Sequence, residues 1–196
     1  MSSSNLIRWS GLAAMLAGVL WIVPAIITAF KPRGCIGPDE CDVMAMRDTS
    51  DVAPLLLLAL MLSAVGLAGM VIRAWNTGRL DRLGQVSVAL CAVGVMLLVL
   101  GMGLNAISEV FWALVPLGGL ALVIGLALVG IAALRMEALP RWAAVLLVIG
   151  SLGMLGFDDQ NAQVLMAIPF GIAWIVVGYA LWSGREASAD QPSRVR

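Results

Sequence analysis

The chain has 196 residues, of which 61% are hydrophobic and 12% are charged, and it contains no histidine. Soluble domains are about 45–50% apolar and about 25% charged, so this composition excludes a soluble globular protein and indicates a protein that lies in lipid. The formal net charge is zero. Because the charges are spread among short segments and form no basic patch, we do not expect a nucleic-acid partner.

Six apolar runs follow one another along the chain, at residues 9–30, 52–72, 85–104, 110–134, 142–157 and 164–182. A helix needs about 20 residues to cross a hydrocarbon core of ~30 Å. Only the fifth run is clearly shorter, and we expect it to extend into Leu139 or to lie in a locally thinned bilayer. The sequence therefore predicts an all-α fold, a polytopic bundle of six transmembrane helices arranged as three αα hairpins. A single domain would span 1–183, followed by a disordered cytoplasmic tail at 184–196.

The first run could be a signal peptide or an uncleaved membrane anchor. It is longer than the usual hydrophobic region of a signal peptide, and no Ala-x-Ala cleavage site follows it. We therefore expect an uncleaved anchor.

Two cysteines, Cys35 and Cys41, lie in the segment RGCIGPDECD between the first two runs. A structural zinc site needs four ligands, and the chain has no histidine and no second cysteine pair. The remaining interpretations are a disulfide that closes a short loop over Gly37 and Pro38, a pair of free thiols, or a redox pair. We favour the disulfide, which in the chain-entropy model would contribute about 2–2.5 kcal/mol. The third cysteine, Cys91, lies within the third run and is expected to be a small packing residue.

Small residues at helical spacing predict the surfaces where helices approach closely, because such residues drive helix association in lipid. The predicted stripes contain Gly11, Ala14 and Gly18; Gly66 and Gly69; Ala121 and Gly125; Gly150, Gly153 and Gly156; and Gly171 and Gly178. We expect a leucine at Gly153 to separate two helices. Trp21 and Trp174 are expected to pack deep between helices.

The fourth and sixth runs align at an offset of 53 residues, which matches Pro116 with Pro169 and Gly118 with Gly171. The match indicates a duplication, although prolines near helix starts and scattered glycines are common in any multi-pass protein. The resulting unit is a helical hairpin that enters and leaves the membrane on the same side.

Arginines predict the orientation. With the N-terminus inside, nine basic residues lie on the cytoplasmic side and only three, Lys31, Arg33 and Arg47, lie outside. This bias follows the positive-inside rule, so we expect a bacterial inner-membrane protein with both termini in the cytoplasm.

Carboxylates and amides after the third and fifth runs form the one candidate site outside the helices. Glu109, Asp158, Asp159 and Asn161 could together hold a hard cation such as Ca²⁺, although an Asp-Asp-Gln-Asn segment is also an ordinary solvated turn. Whether any metal binds there is unknown at this stage.

Ionisable side chains are missing near the midplane of the six runs, where the polar groups are only Ser63, Ser87, Cys91 and Ser151. Such serines usually bond to their own helix backbone. Proton-coupled transport and membrane catalysis normally need a buried carboxylate, histidine or reactive constellation. We therefore predict no catalytic residues and no cofactor.

The segments LPRWAAVLLVIG and GIAWIVVGYALW, at 139–150 and 171–182, resemble the short, uncharacterised six-helix membrane proteins of actinobacteria-like genomes. The resemblance implies a six-helix fold and no activity. The sequence favours a non-catalytic multi-pass protein that is an accessory or interaction subunit, or a binder of an apolar ligand. The alternatives are a small transporter or channel, and a thiol-redox enzyme that uses Cys35 and Cys41. The expected partners are the lipid bilayer and either another membrane protein or a second copy of the chain.

Overall fold

The structure, a computed structural model, describes residues 3–32, 47–76, 78, 81–104, 108–136 and 139–183. The predicted disulfide between Cys35 and Cys41 and the predicted tail at 184–196 lie outside these residues. Both stay predictions.

The described residues form six α-helices, which confirms the all-α fold. They are α1 (Ser3–Phe30), α2 (Ala53–Asn76), α3 (Arg82–Leu104), α4 (Leu114–Arg135), α5 (Arg141–Gly153) and α6 (Ala167–Ser183). Short 3₁₀ turns precede α4 at Glu109–Ala113, follow α5 at Met154–Gly156 and precede α6 at Ala162–Met166. With these turns included, five of the helices are long and apolar enough to span a membrane, and α5 is not.

Helix α5 begins at Arg141 because Pro140 takes the position before its first turn. The expectation that this helix extends into Leu139 is therefore wrong. Together with the 3₁₀ turn at Met154–Gly156 it rises about 26 Å, slightly less than a hydrocarbon core of ~30 Å.

Packing follows the order α2–α1–α6–α5–α4–α3, in which each helix contacts the next. The first and last helices of the chain are thus neighbours. Helices α2 and α3 stand at the two ends of this series. They are joined through a short connection in which Gly78 has φ of 64°, but they form no packed seam within the described residues.

Glycines of α1 and α6 bring the two helix backbones into direct contact. A Cβ atom added to Gly11 would lie 2.8 Å from the carbonyl oxygen of Gly178, and one added to Gly178 would lie 2.5 Å from that of Gly11. A Cβ on Gly171 would lie 2.6 Å from the carbonyl oxygen of Gly18. Each helix therefore presents two glycines to the other, and the two helices run antiparallel.

The other seams also depend on glycines, and half of these glycines belong to the predicted stripes. Gly94 and Gly118 meet between α3 and α4, where a Cβ on Gly118 would lie 2.8 Å from the carbonyl oxygen of Gly94. The remaining close contacts join Gly66 to Ala14, Gly69 to Ser10, Gly101 to Val115, Gly125 to Cys91, Gly130 to Ala144, and Gly150 to Phe170.

Gly153 and Gly156 do not belong to any seam, since added Cβ atoms there would meet nothing within 4 Å. The expectation that a leucine at Gly153 separates two helices is wrong. Helix α5 ends at Gly153. The stripe of small residues that begins at Gly150 therefore does not form a continuous contact surface with a neighbouring helix.

Buried serines bond to their own helix, as the sequence predicts. The hydroxyl groups of Ser63, Ser87 and Ser151 donate to the carbonyl oxygens of Ala59, Gly84 and Leu147 at 2.7–2.8 Å. These bonds satisfy the hydroxyl donors of the three serines within their own helices.

We predict that Gly171→Ala lowers the free energy of unfolding by about 1–3 kcal/mol, because the new methyl group overlaps the backbone of α1 and crowding of this kind carries such a cost. The matched control is Gly153→Ala, which places the same methyl group in open space. Thermal melting of both variants in detergent is the measurement. Equal melting temperatures for the two variants would contradict the role of the α1–α6 contact.

Candidate functional site

A large cavity lies on the side of the bundle where α2 and α3 separate, and we call it the interhelical groove. Its walls are α2, α3 and α4, and its inner surface contains Trp21, Phe170 and Trp174. Its volume is about 1310 Å³. The groove exists because α2 packs on α1 and α3 packs on α4, whereas nothing among the described residues fills the space between them.

The three aromatic side chains on the inner surface pack edge to face. The ring centroids of Trp21 and Phe170 are 5.2 Å apart with an interplanar angle of 77°, and those of Phe170 and Trp174 are 6.2 Å apart at 88°. Aromatic pairs prefer this arrangement because the positive ring edge meets the negative ring face. The row joins α1 to α6 and gives the groove a rigid inner surface.

Two polar groups on this surface satisfy each other. The indole N–H of Trp21 donates to Ser63 Oγ at 3.2 Å, and the same hydroxyl donates to the carbonyl oxygen of Ala59 at 2.8 Å. The hydrogen bond between Trp21 and Ser63 also connects α1 to α2 across the inner edge of the groove.

The indole N–H of Trp174 is buried and meets no acceptor among the residues described. The side chain is 0% exposed, so a molecule in the groove cannot reach the nitrogen without a rearrangement. An unpaired buried donor of this kind costs about 1–3 kcal/mol.

The groove walls consist mainly of leucine, valine and methionine. Leu57 on α2 is 40% exposed, and Met96 and Val99 on α3 are 54% and 53% exposed, so the groove is open at the side of the bundle. Its lining contains no charged side chain among the described residues. In a membrane this opening faces the hydrocarbon of the bilayer.

A second, much smaller cavity of about 30 Å³ continues the groove at the end of α2. Leu67, Val71 and Val88 line both cavities. Arg73 and Ser87 add polar groups to the small one, and the Arg73 Nη1 donates to the carbonyl oxygen of Ala180 at 3.1 Å. A cation therefore stands beside one end of an otherwise apolar groove.

The residues of the predicted cation cluster lie on two different turns of the structure, with Glu109 on one and the other three on the turn between α5 and α6. Asp158 accepts bonds from the backbone N–H of Gln160 at 2.9 Å and from the amide of Asn161 at 2.5 Å, and Asp159 accepts one from Thr49 at 3.4 Å. The side-chain oxygen of Asn161 accepts from the backbone N–H of Gln163 at 2.7 Å, where it caps the 3₁₀ turn before α6. These groups organise the turn between α5 and α6.

Arg47 attaches the segment before α2 to this turn. Its backbone N–H donates to the side-chain oxygen of Gln160, and its Nη1 donates to the carbonyl oxygen of Asn161, both at 2.8 Å. Glu109 lies on a different 3₁₀ turn, which packs on α3 and α4, and it is exposed. Within the described ranges no group of three or more cysteine, aspartate or glutamate side chains is placed to hold a metal ion. The predicted cation site stays a prediction.

Lys31 connects the end of α1 to the start of α2 at the same end of the bundle. Its ammonium group donates to the carboxylate of Asp51 and, at 2.8 Å, to the carbonyl oxygen of Asp48. The bond from Lys31 holds the pKa of Asp51 below its ordinary value, and bonds from Ser50 do the same for the pKa of Asp48. Both carboxylates are exposed, so these contacts locate the segment and contribute little to stability.

Sequence reasoning placed Trp21 and Trp174 between helices but did not find the groove. Small residues did not reveal it. Gly66 and Gly69 of α2 lie on the face that meets α1, but Ala64 and Ala68, which line the groove, have the same kind of helical spacing.

We predict that Trp174→Phe changes the free energy of unfolding by less than about 1 kcal/mol. Removal of the unpaired N–H group stabilises the folded protein, and this gain offsets the packing contacts that are lost with the smaller ring. Trp174→Ala removes the whole ring and should cost about 3–5 kcal/mol. Melting curves of the two variants in detergent test this, and an equal loss in both would show that the N–H has a partner in the membrane.

Comparison of the chain with protein-family models, with curated proteins and with solved structures finds no match.

Proposed function

We propose that the protein is a non-catalytic multi-pass membrane protein that binds the hydrocarbon part of a lipid-like ligand in the interhelical groove. The observation that carries this proposal is the groove itself, with its volume of about 1310 Å³ and its lining of aliphatic and aromatic side chains. Typical ligand pockets measure about 300–1,000 Å³ and are mostly apolar with a few placed polar groups. The volume of the groove is slightly above that range, and its lining is likewise mostly apolar with a few polar groups.

The shape of the groove favours a long, flexible ligand. On α2 its lining extends from Ala53 to Ile72, which corresponds to about 28 Å along the helix axis. On α3 it extends from Val88 to Met102, or about 21 Å. An acyl or isoprenoid chain matches such an elongated apolar space better than a compact molecule does.

The walls favour a hydrocarbon chain over the helix of a partner protein. Helices associate in lipid through small residues that permit close backbone approach. In this chain Gly66 and Gly69 meet α1, and Gly94 and Gly101 meet α4, so these glycines are used inside the bundle. Gly119 is the one glycine in the groove lining that the structure describes. Large, flexible side chains such as Leu57, Met96 and Met102 are left to face the groove, and they suit a fluid chain.

The same lining argues against the alternative functions. An ion pathway or a proton relay needs charged or polar groups along its course, and the described lining of the groove contains no charged side chain. A redox function would depend on Cys35 and Cys41. The third thiol, Cys91, is buried against Gly125 and is not placed to exchange with them at a surface.

The proposal includes six membrane spans in three hairpins, with α5 in a locally thinner part of the bilayer. Its support is the apolar sequence of α5, its rise of about 26 Å and its position between α4 and α6. The arginine distribution supports a bacterial inner membrane with both termini in the cytoplasm.

We predict that a reporter active only in the cytoplasm gives a signal when it is fused after Arg196, and that a periplasmic reporter at the same site does not. The reason is that six spans return the chain to its starting side. The control is a fusion within the segment between α1 and α2, which should show the opposite pattern. A periplasmic signal after Arg196 would mean that α5 does not cross the membrane.

We predict that Gly119→Leu reduces the lipid retained by the purified protein about tenfold. Gly119 lines the groove and an added Cβ meets nothing within 4 Å, so the leucine points into unoccupied space and fills it. Tenfold corresponds to about 1.4 kcal/mol, within the range that steric crowding costs. The measurement is native mass spectrometry of protein released from lipid nanodiscs.

The matched control is Gly103→Leu, which also meets open space but does not line the groove. It should retain as much lipid as the parent. Equal retention by all three proteins would contradict lipid binding in the groove. A parent protein without lipid but with a stoichiometric protein partner would favour the interaction-subunit function instead.

A further inference from the structure

We propose that the ligand of the interhelical groove is an amphiphile with one hydrocarbon chain longer than a single leaflet of the bilayer, of the polyprenyl class, and that its polar end lies where α2 begins. This inference rests on the proposed function and adds the class of chain and its direction. Two ordinary lipids that share the groove end to end are an outcome of the test.

The length of the groove is the first argument. Its lining on α2 runs from Ala53 to Ile72, which is about 28 Å along the helix axis. The hydrocarbon core of a bilayer is ~30 Å thick, so one leaflet contributes only about 15 Å. The groove therefore crosses the midplane of the membrane, and the chain of a lipid from one leaflet would fill about half of its length.

The starts of α2, α4 and α6 lie at one end of the bundle, which we call the wide end. Arg47, in the segment before α2, bonds to Asn161 in the turn before α6. The 3₁₀ turn at Met154–Gly156 contacts both α4 and the 3₁₀ turn before α6. Gly130, late in α4, meets Ala144, early in α5, so α4 and α5 run antiparallel and α4 begins beside the turn that follows α5.

The groove narrows as it leaves the wide end. On α4 its described lining extends from Val115 to Leu126, which is within about 18 Å of the start of that helix. On α6 the described lining consists of Phe170 and Trp174, near the start of the helix. Further along, the lining consists of residues from α2 and α3. Four helices therefore surround the wide part and two surround the narrow part.

The narrow end has no room for a headgroup. The small cavity that continues the groove there measures about 30 Å³. A space of that size holds about one or two water molecules. The polar end of a ligand therefore lies at the wide end, and its chain extends into the narrow part.

The same constraint favours one long chain over two shorter ones. Two lipids that filled the groove from opposite leaflets would place a headgroup at each end, and the narrow end excludes one of them. Each bound molecule also loses its own translational and rotational freedom, so two molecules lose more than one. A single chain that crosses the midplane fills the length of the groove and needs only the wide end for its polar group.

The experiment compares two prenyl alcohols, farnesol and heptaprenol. Farnesol reaches about one leaflet, and heptaprenol reaches beyond the length of the groove. The full chain is placed in phosphatidylcholine nanodiscs that contain equal amounts of both, and native mass spectrometry counts the molecules of each that stay bound. The parent should retain one heptaprenol per protein and prefer it over farnesol about fivefold, which corresponds to about 1 kcal/mol. A parallel pair of straight-chain alcohols, hexadecanol and octacosanol, tests whether the preference follows chain length without branching.

A block in the narrow part tests the direction of the chain. Ala68 is exposed and lines the groove on α2 about 22 Å from the start of the helix, beyond the level of Leu126. Ala68→Trp should lower the retention of heptaprenol to that of farnesol and leave farnesol unchanged. Gly119→Leu, which fills the wide part, should lower the retention of both.

The matched control is Val65→Trp. Val65 lies on the same helix, is 46% exposed and does not line the groove, so this variant should behave like the parent. Melting temperatures report whether each variant is folded. Ala68→Phe places a smaller ring at the same position and repeats the block if the tryptophan variant does not fold.

The outcomes separate the two proposals. A parent that retains both prenyl alcohols equally, or binds two farnesol molecules, or retains phosphatidylcholine and neither alcohol, overturns the long chain and leaves the groove as a lipid site. A preference for heptaprenol that survives Ala68→Trp, or a loss of farnesol in that variant, overturns the direction of the chain. A parent that retains no lipid and no alcohol overturns both the inference and the proposed function, and then Gly119→Leu has no effect either.

Discussion

The direct backbone contact between α1 and α6 is the interaction on which the rest of the bundle depends. Lipid supplies no hydrophobic force between helices, so close packing at Gly11, Gly18, Gly171 and Gly178 is what holds the first helix of the chain against the last. The contact brings Trp21 of α1 beside Phe170 of α6 and so builds the inner surface of the groove. A methyl group added to any one of these four glycines would push the backbones of α1 and α6 apart.

The groove follows from how the small residues are distributed. The glycines Gly66 and Gly69 of α2 meet α1, and Gly94 and Gly101 of α3 meet α4, so these glycines do not join the two helices at the ends of the packing order. The space between them is then lined by leucine, valine and methionine. The same constraint that assembles the helices therefore leaves an apolar opening toward the bilayer.

Polar groups are placed where they do not disturb this arrangement. Buried serines bond to their own helices, and the loop residues Arg47 and Lys31 hold the segments between helices at one end of the bundle. Arg73 differs from them because it stands beside the groove, at the point where the apolar lining stops.

The sequence by itself determined the helices, most of the glycine contacts and the burial of Trp174, because length, hydropathy and small-residue spacing act locally. Only the tertiary structure decided which helices are neighbours. The spacing of small residues predicted that Gly153 packs against a neighbouring helix, but it contacts none. The prediction failed because spacing along one helix does not tell where the neighbouring helix lies. The groove was not predictable for the same reason: it is a space that α2 and α3 leave open, and its existence depends on the contacts that every other helix pair makes.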